Sequence, residues 1–431
     1  MLVYTNMSLF LILFYGFSFL AVYVQVFLLV TFFENRKKIF IRSKKIDLEI
    51  YPTVTIIVPC YNEQDAICLT VDSLLELEYP RDMLKIIIVD DGSKDNSWQV
   101  VSKYLDNPQI LLLQKENGGK HTALNLGLEH TTSEFVGCLD SDSSVHPEAL
   151  KRIITFFDNP EVMAVAPSII VRDPKNILQY AQRAEYDMAH YTKKMLAFME
   201  GIHVTPGPFS IFRKKIFDVI GPYRKAHHTE DQEIALRMHK HGLRIDHCPD
   251  AYVYTGGPST VPKLFRQRVR WIYGFIQNAR DYKHFFFRPQ YGAIGMFTLP
   301  SGIISICGTM FLMVFTIHRL YNFIARKVVQ VQVSGLESFS VPHFQLDPFF
   351  INTRAFLFVM VILYILVLTS LFNGRRMIHG RKVLSWDILL FLIVYTILAP
   401  FWLLKSVYNV IRSKEPSWTG ERDYRINKKT T

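Results

Sequence analysis

Hydrophobic and polar positions divide the chain into an apolar beginning, a mixed middle and an apolar end. Residues 1–33 carry no charged side chain, and Leu9 to Phe33 is apolar almost throughout. This run is long enough to span a bilayer as a helix. It lacks the basic start, the short apolar core and the small-residue cleavage site of a signal peptide, so we expect a retained membrane anchor.

Three more apolar stretches follow later in the chain, at Tyr291–Ile317, Ala355–Phe372 and Trp386–Tyr408. With the first stretch they make four candidate membrane crossings. Basic residues directly follow the first stretch, and the positive-inside rule places them in the cytoplasm. They are Arg36, Lys37, Lys38, Arg42, Lys44 and Lys45. We therefore predict a multi-pass protein of the plasma (inner) membrane, with the middle of the chain in the cytoplasm.

The charge of the C-terminal tail conflicts with this count of crossings. Three crossings after a cytoplasmic domain would place the tail outside, but its basic residues prefer the inside. They are Arg412, Lys414, Arg422, Arg425, Lys428 and Lys429. One stretch is then expected to lie in the interface or to re-enter the membrane. Tyr291–Ile317, which contains four glycines and a proline, is the first candidate, and the number of full crossings stays open.

The mixed middle of the chain, residues 53–255, has the pattern of an α/β domain. Short runs rich in β-branched residues predict buried strands. These runs are Thr55–Pro59, Lys85–Asp90, Ile110–Leu113, Phe135–Leu139 and Met163–Val171. Stretches with helical spacing, such as Asp65–Leu77, lie between them. This alternation of strands and helices predicts a mainly parallel sheet.

Two further stretches predict amphipathic helices. From Ile177 to Met199, apolar residues recur at helical spacing, which is typical of a helix that faces the core or lies on a membrane surface. Lys263–Lys283 interleaves arginines with aromatic residues, a composition that suits the headgroup level of a bilayer.

Composition narrows the choice of partners. The chain has 49 basic and 38 acidic residues and a net charge of +11. Such a balance suits nucleic acid, anionic lipid or a phosphate-bearing substrate. The sequence has neither zinc-finger spacing nor an aromatic-basic RNA-binding signature, so we expect membrane lipid and a nucleotide-sugar rather than nucleic acid. The five cysteines form no CxxC pair, which fits a reducing compartment.

Two carboxylates, Asp140 and Asp142, follow the strand predicted at Phe135–Leu139. In an open α/β sheet, ligands bind where strands end at their carboxyl edge. Two hard oxygen ligands at such an edge suit a divalent cation held against substrate phosphates. The alternative is an ordinary polar turn.

Polar residues also follow two other predicted strands. Asp91 can accept hydrogen bonds from a base or a ribose, and Gly92 lets the backbone approach a ligand closely. Gly118, Gly119 and Lys120 can present backbone N–H groups and one ammonium to phosphates, although no P-loop pattern is present. Solvated turns are the alternative at both places.

Two motifs near the end of this domain carry candidate chemistry. Asp231 precedes a stretch of helical character, where it can act as a general base toward a hydroxyl. In the structural alternative, Thr229 caps that helix with Gln232 as its capping-box partner. Arg270 offers a fork of donors to a diphosphate, and Trp271 offers a flat face to a sugar, unless both simply belong to an interfacial helix.

Taken in order, these motifs resemble one family. They are PCYNE (59–63), DDGSKD (90–95), NGGK followed by ALNLG (117–127), LDSDS (139–143), TED (229–231) and QRVRW (267–271). The series resembles the processive, membrane-embedded family 2 glycosyltransferases, the group of poly-N-acetylglucosamine, cellulose, chitin and hyaluronan synthases. The resemblance covers residues 53–285 closely and the flanking spans in architecture.

The resemblance implies a GT-A fold, which binds nucleotide-sugars, and an inverting, metal-dependent transfer. Its motifs imply that the nucleotide-sugar is bound by Pro59, Tyr61, Glu63, Asp91, Lys120 and Asp140. They imply a Mg²⁺ or Mn²⁺ site at Asp140 and Asp142, and catalysis by Asp231 with Glu230. They also imply that Gln267, Arg270 and Trp271 bind the diphosphate and the acceptor end. It also implies an acceptor loop at Gly207–Ser210. The tail segment Ser417–Arg422 is similar to a gating element of hyaluronan synthases.

We therefore predict an α/β GT-A fold plus transmembrane helices. The expected domains are an anchor with a basic linker (1–50), a cytoplasmic GT-A domain (51–260), an interface helix with QRVRW (261–290), a transmembrane region (291–410) and a basic tail (411–431).

The expected function is inverting transfer from a UDP-sugar, by preference UDP-N-acetylglucosamine, to a growing polysaccharide, with export and with accessory export or regulatory subunits as possible partners. One alternative is the loading of a single sugar onto a polyprenyl phosphate or a lipid. Another is a transporter or scaffold with an inactive GT-A domain.

Overall fold

The computed structural model describes residues 2–40, 48–335, 355–380 and 384–416. The tail segment Ser417–Arg422 and the basic residues Arg42, Lys44 and Lys45 lie outside the described residues. The chain divides into two compact units. One comprises Met1–Val30 and Ser301–Thr369, and the other comprises Thr31–Pro300 and Ser370–Thr431.

The second unit contains a single sheet whose eight strands lie within the described residues. The strands are β1 Val54–Cys60, β2 Leu84–Asp90, β3 Ile110–Gln114, β4 Phe135–Cys138, β5 Ser143–Val145, β6 Val162–Val171, β7 Ile211–Arg213 and β8 Arg244–Thr255. Their order across the sheet is β3-β2-β1-β4-β7-β6-β8-β5. The four strands from β3 to β4 pair in parallel, whereas β7 and β5 are antiparallel to their neighbours.

Helices connect the strands and continue beyond the sheet. They are α1 Leu2–Phe40, α2 Ile67–Leu75, α3 Ser97–Val101, α4 Lys120–Glu129, α5 Ala149–Ile154, α6 Ile177–Phe198, α7 Ile216–Ile220, α8 Glu230–Lys240, α9 Val261–Asp281, α10 Leu299–Ser334, α11 Ala355–His379 and α12 Trp386–Ile411. A π-helical turn, Ile294–Thr298, leads into α10.

The sheet is buried on both faces, as the continuous apolar strands predict. In β1, Ile56 and Val58 contribute to one core while Ile57 contributes to the other. Residues of α2 and α5 complete the first core, and residues of α4, α7 and α8 complete the second. The predicted α/β fold with a mainly parallel sheet is thus confirmed. Parallel strands in this layering place their carboxyl ends along one shared edge.

The predicted strands are confirmed, but β5, β7 and β8 were missed. β5 and β7 have only three residues each, too few to show any period. β8 is long, but the polar side chains of Asp246, His247 and Asp250 interrupt its apolar pattern. Its middle residues are nevertheless buried, because tertiary contacts there outweigh local propensity.

Helix α6 faces the core, which decides between the two interpretations of its apolar stripe. Ala181, Ala184, Tyr191 and Met195 are buried, and the helix packs against β6, β8 and α12. At the start of the stripe Ile177 remains 60% exposed, so the apolar face is covered only from the second turn onward.

Four helices among the described residues are long and apolar enough to cross a membrane. The candidate spans are Phe10–Ile39, Ile294–Val333, Phe358–His379 and Trp386–Ile411, with mean hydropathies of 2.1, 1.8, 1.8 and 2.2. All four predicted stretches are confirmed as helical, and the second runs to Ser334, well past the predicted end at Ile317. Within the first unit, Phe14 and Phe315 stack with ring centroids 5.5 Å apart, so α1 packs on α10 there. The re-entry of one stretch and the side of the tail stay predictions.

Candidate active site

The motifs at the ends of the first, second and fourth strands meet at one edge of the sheet. Strands β2, β1 and β4 are neighbours and parallel, with Cys60 beside Asp90 and Ile57 beside Cys138. Tyr61 and Glu63 follow β1, Asp91 follows β2, and Asp140 follows β4. Pro59 is the residue before Cys60, so it lies inside β1, and it is buried. These residues therefore share the carboxyl edge of the sheet.

The Asp91 carboxylate holds the loop that precedes α4. It accepts hydrogen bonds from the Gly118 N–H at 3.0 Å and the Gly119 N–H at 2.8 Å, and it pairs with Lys115 Nζ at 2.7 Å. At Gly92, whose φ is +70°, a Cβ would lie 2.8 Å from the Asn117 nitrogen, so the close approach requires glycine. Both predicted phosphate-facing N–H groups thus bind Asp91 instead. Of the groups predicted to face phosphates, Lys120 Nζ is the one that does not bind Asp91.

Lys120 links two of the predicted motifs. Its Nζ lies 2.6 Å from Asp140 Oδ1 and 3.1 Å from Glu230 Oε1. These opposite charges raise the pKa of Lys120 well above its ordinary value, although burial acts against this. One ammonium therefore joins the carboxylate after β4 to the first residue of α8, and it stays charged.

The predicted acceptor loop passes close to this ion pair. A Cβ on Gly207 would lie 2.7 Å from Lys120 Nζ and 3.2 Å from Asp140 Oδ1, so any larger residue would displace the lysine end from this pair. The Phe209 N–H donates to the Cys138 carbonyl at 2.6 Å, and Phe209 is fully buried with φ +64°. The loop is thereby fixed to the end of β4.

Three carboxylates on this edge repel one another. Burial, and then the charge of Asp142, raises the pKa of Glu63 to about 7. The pKa of Asp142 is also raised, by loss of surrounding water and then by Asp140, although its side chain remains accessible from the edge. A bound divalent cation would relieve this repulsion, and carboxylate oxygens are the ligands that Mg²⁺ and Mn²⁺ prefer. The residues present thus fit such an ion.

The fit is to an ion that shares its ligands with a substrate. Among the described residues, no group of three or more His, Cys, Asp or Glu side chains converges to hold a metal ion by itself. Mg²⁺ is typically bound by one or two carboxylates together with substrate phosphates rather than by an all-protein cage. Asp140 and Asp142 match that arrangement.

Asp231 and Glu230 begin α8 side by side but have opposite electrostatic environments. Burial would raise the pKa of Glu230, but the Lys120 ammonium holds it below its ordinary value. Burial and the neighbouring charge of Glu230 raise the pKa of Asp231 to about 6. A base is most effective when its pKa lies near the working pH. Of the two carboxylates, Asp231 is therefore the one suited to accept a proton, and Glu230 is the charge partner of Lys120.

The capping box, which was the structural alternative at Thr229, is not formed. Thr229 is the residue before α8, but its hydroxyl donates to the Ala226 carbonyl at 3.1 Å instead of capping the helix. The same hydroxyl accepts a hydrogen bond from Asn278 of α9 at 2.9 Å. At Gly274, one turn earlier on α9, a Cβ would come within 2.3 Å of Thr229 Oγ1. The absence of a side chain at Gly274 thus lets α9 lie directly against the segment before Asp231.

This close packing brings the QRVRW motif to the same site. Arg270 donates to the His228 carbonyl at 3.2 Å, three residues before Asp231. Gln267 has a buried Oε1 with no hydrogen-bond partner among the described residues. Such an atom needs a donor, which a sugar hydroxyl offers and a fully ionised phosphate does not. Trp271 is half-buried, with Arg268 over its ring at 4.4 Å.

Several residues at the site were missed in the sequence. Lys115 pairs with Asp91, and Arg268 with Glu185. Lys193 of α6 interacts with the Asp231 charge, although burial lowers the pKa of this lysine to about 8. Lys115 and Lys193 have no local signal, because each depends on a partner far away in the chain. Arg268 belongs to QRVRW, but nothing local predicts its pairing with Glu185.

Comparisons with known proteins find matches over the α/β domain. Residues 55–221 match the profile described as Glycosyl transferase family 2. The chain is 31% identical over 248 residues to the poly-beta-1,6-N-acetyl-D-glucosamine synthase of Staphylococcus aureus strain MSSA476, covering 56% of this chain and 60% of that synthase. The synthase of the same name from Staphylococcus epidermidis is 31% identical over 224 residues, covering 51% and 54%.

A solved structure matches over more of the chain. The mannosyltransferase of Pyrobaculum calidifontis, in complex with GDP-Man and Mn²⁺, superposes with a TM-score of 0.58 and covers 93% of this chain and 100% of its own. Its sequence identity is 18%, so this likeness concerns the fold alone.

Residues 55–221 thus form a glycosyl transferase family 2 domain with a GT-A-like fold. The chain is homologous to poly-beta-1,6-N-acetyl-D-glucosamine synthases over about three-fifths of their length.

Proposed function

We propose that this protein is a membrane-bound inverting glycosyltransferase that moves a sugar from a UDP-sugar to the end of a growing polysaccharide. The observation that carries the proposal is the position of Lys120 between Asp140 and Glu230. It joins the candidate diphosphate side of the site to the candidate base at Asp231. A donor bound along this edge would have its reacting carbon between those two sides.

The chemistry follows from the charges of the site. Asp231 takes the proton of the acceptor hydroxyl as that oxygen attacks the anomeric carbon. The bond to the diphosphate breaks on the opposite face, so a single displacement inverts the anomeric centre. Lys120 and Arg270 stabilise the negative charge that develops on the leaving diphosphate.

The residues of the site would bind the donor in two parts. Asp91 lies beside Tyr61 and Glu63 at the strand ends, where they would surround the uridine. Asp140 and Asp142 would hold Mg²⁺ or Mn²⁺ together with the diphosphate. When bound, this cation would neutralise part of the diphosphate charge.

UDP-N-acetylglucosamine is the proposed donor, and a β-1,6-linked N-acetylglucosamine polymer is the proposed product. The names of the staphylococcal relatives support this choice. Four helices among the described residues are suited to a membrane, and they support our proposal of a multi-pass protein of the inner membrane with the catalytic domain in the cytoplasm. Export of the polymer, with or without accessory subunits, belongs to the same proposal.

Transfer of one sugar to a polyprenyl phosphate or another lipid is the second candidate function. The unpartnered Oε1 of Gln267 favours the polysaccharide, because a sugar acceptor offers it a hydroxyl donor and a polyprenyl phosphate does not. A scaffold with an inactive domain is disfavoured, since Asp142 and Asp231 are both in place and the environment of Asp231 is tuned toward a base.

The kcat/KM for the acceptor is expected to rise with pH through about 6. Asp231 has a raised pKa of about 6, so the base is protonated and inactive below that value and free above it. Below the midpoint the rate should fall about tenfold per pH unit, as for a single essential base. The rate is measured at saturating donor and metal, so that ionisations which affect donor binding, such as that of Glu63, do not influence it. A rate that is flat from pH 5 to 8 would remove Asp231 from the proton transfer.

Identity of donor and product is tested with membranes that contain the full-length protein. They are incubated with a panel of UDP-sugars, and the product is sized and digested with linkage-specific glycosidases. We expect UDP-N-acetylglucosamine to give a polymer that a β-1,6-N-acetylglucosaminidase degrades. A product that always carries one sugar on a lipid would instead establish the second candidate function.

A further inference from the structure

Arg268, the second residue of QRVRW, lies in a cluster with three half-buried side chains: Glu185 of α6, Trp271 of α9 and Tyr395 of α12. Arg268 is 6% exposed. Its guanidinium stacks over the Trp271 ring at 4.4 Å and lies 5.8 Å from the centre of the Tyr395 ring. We call these four residues the Arg268 cluster.

Polar contacts hold the guanidinium in this position. Arg268 Nη2 lies 2.5 Å from Glu185 Oε2 and 3.2 Å from the Tyr395 hydroxyl. The Tyr395 hydroxyl donates to the same Glu185 oxygen at 2.5 Å. Tyr395 is in turn packed edge-on against Trp402, with ring centroids 5.5 Å apart. Three helices therefore meet at one planar charged group, and that group covers one face of Trp271.

A cluster of this kind is poorly explained by stability alone. Burying an ion pair costs desolvation energy that its attraction only partly offsets, and apolar residues often stabilise such a place better. A planar guanidinium held by two partners instead fixes a geometry, because it is restrained both in its plane and against an aromatic face. The geometry fixed here is that of the Trp271 ring.

We propose that Glu185, Arg268 and Tyr395 are positioning residues that hold Trp271 for the terminal sugar of the acceptor, and thereby set how many sugars are added in one binding event. This rests on the proposed function. With Arg268 on one face of the indole, a sugar stacks on the other. The position of that sugar then depends on α12, one of the apolar helices, through Tyr395.

This arrangement affects the acceptor and leaves the donor side alone. Among the described residues, no hydrogen bond or ion pair joins Glu185, Arg268 or Tyr395 to the donor-side residues Asp91, Asp140 and Lys120. Loosening the cluster should therefore weaken acceptor binding and shorten the product, with donor binding and donor hydrolysis maintained. A cluster that served only to stabilise the fold would lower all of these together.

The test uses the full-length protein in lipid nanodiscs, UDP-N-acetylglucosamine as donor and a β-1,6-linked N-acetylglucosamine tetramer as acceptor. The variants are Tyr395→Phe, Glu185→Gln, Arg268→Lys and Arg268→Met. Tyr395→Phe is the mildest, because it removes one hydroxyl and keeps the ring. For each variant we would measure the KM for each substrate, UDP release without acceptor, product length and the thermal unfolding midpoint.

We expect Tyr395→Phe to raise the acceptor KM about tenfold and leave the donor KM within about twofold, in line with the cost of small misplacements of a bound group. Arg268→Lys should shorten the product, and Arg268→Met should shorten it further, because lysine keeps the charge but not the planar fork. Trp271→Ala serves as the reference for complete loss of the stacking face.

Two control variants match the chemistry of these changes elsewhere in the domain. Tyr79→Phe also removes a buried hydroxyl, which donates to the Pro52 carbonyl at 2.7 Å. Arg213→Lys also replaces an arginine that stacks on aromatic rings, Phe135 at 5.3 Å and Phe157 at 5.2 Å. Both controls should leave the ratio of acceptor KM to donor KM unchanged.

Equal changes in both KM values, or an unchanged product length in Arg268→Met, would overturn the positioning role while leaving the proposed function intact. A lower unfolding midpoint with unchanged kinetics would do the same. Failure of the unmodified protein to transfer sugar from any UDP-sugar would overturn the proposed function itself, and this inference with it.

Discussion

Asp231→Asn is expected to lower the rate of sugar transfer by at least about 10³-fold, toward the upper range of what a general base contributes. Asparagine has nearly the same shape but cannot take the acceptor proton. Its amide oxygen can still accept the hydrogen bond that Oδ1 of Asp231 now takes from the Gln232 N–H at 2.9 Å. The start of α8 should therefore be unchanged, and UDP affinity should remain within about threefold of the original value.

The measurement pairs transfer of radiolabelled sugar with UDP binding by calorimetry on the same preparation. Asp218→Asn is the matched control, because Asp218 is an exposed carboxylate on α7, outside the site. That variant should retain full activity. Normal turnover in Asp231→Asn would assign the proton to another group, with Glu230 the first to examine.

Asp142→Asn is expected to lower kcat/KM by at least about 100-fold, as loss of a metal-site group typically does. The fold itself should not suffer. Loss of surrounding water and the charge of Asp140 raise the pKa of Asp142, so its ionised form is less stable in the folded protein than in the unfolded chain. Removing that charge should leave the thermal unfolding midpoint unchanged or raised at neutral pH.

The decisive measurement is the effect of Mn²⁺ on UDP affinity, which does not depend on turnover. In the unmodified protein Mn²⁺ should strengthen UDP binding, and a chelator should reverse this effect. In Asp142→Asn the difference should largely disappear, whereas Asp106→Asn, an exposed carboxylate beyond the other end of the sheet, should retain it. An unchanged Mn²⁺ dependence would remove Asp142 from the cation site.

Much of the fold was predictable because its signals are local. Each central strand is a continuous apolar run, and each candidate span is a long apolar helix, so neighbouring residues in sequence were enough to find them. The ends of parallel strands share an edge, so this rule by itself predicts that Asp91 and Asp140 lie on the same edge of the sheet. Strand β7 was not predicted, because a run of three residues is too short to show the alternation of a strand.

The tail and the topology of the spans show where such signals stop. Charge alone favours a cytoplasmic tail, but the four apolar helices found among the described residues leave the number of crossings a prediction. Thr229 is a second case. Its spacing to Gln232 fits a capping box, yet contacts with Ala226 and Asn278 take its hydroxyl, because tertiary packing supplies nearer partners than the helix end does.

The sequence by itself determined the class of domain, the order of its motifs and the residue types that can hold a nucleotide-sugar, since these depend only on neighbours along the chain. Tertiary structure alone decided their roles relative to one another. It placed Lys120 between Asp140 and Glu230, turned the Gly118 and Gly119 N–H groups toward Asp91, and set Arg268 against Trp271. The physical reason is that the charge state of a carboxylate and the orientation of a ring depend on burial and on partners distant in sequence.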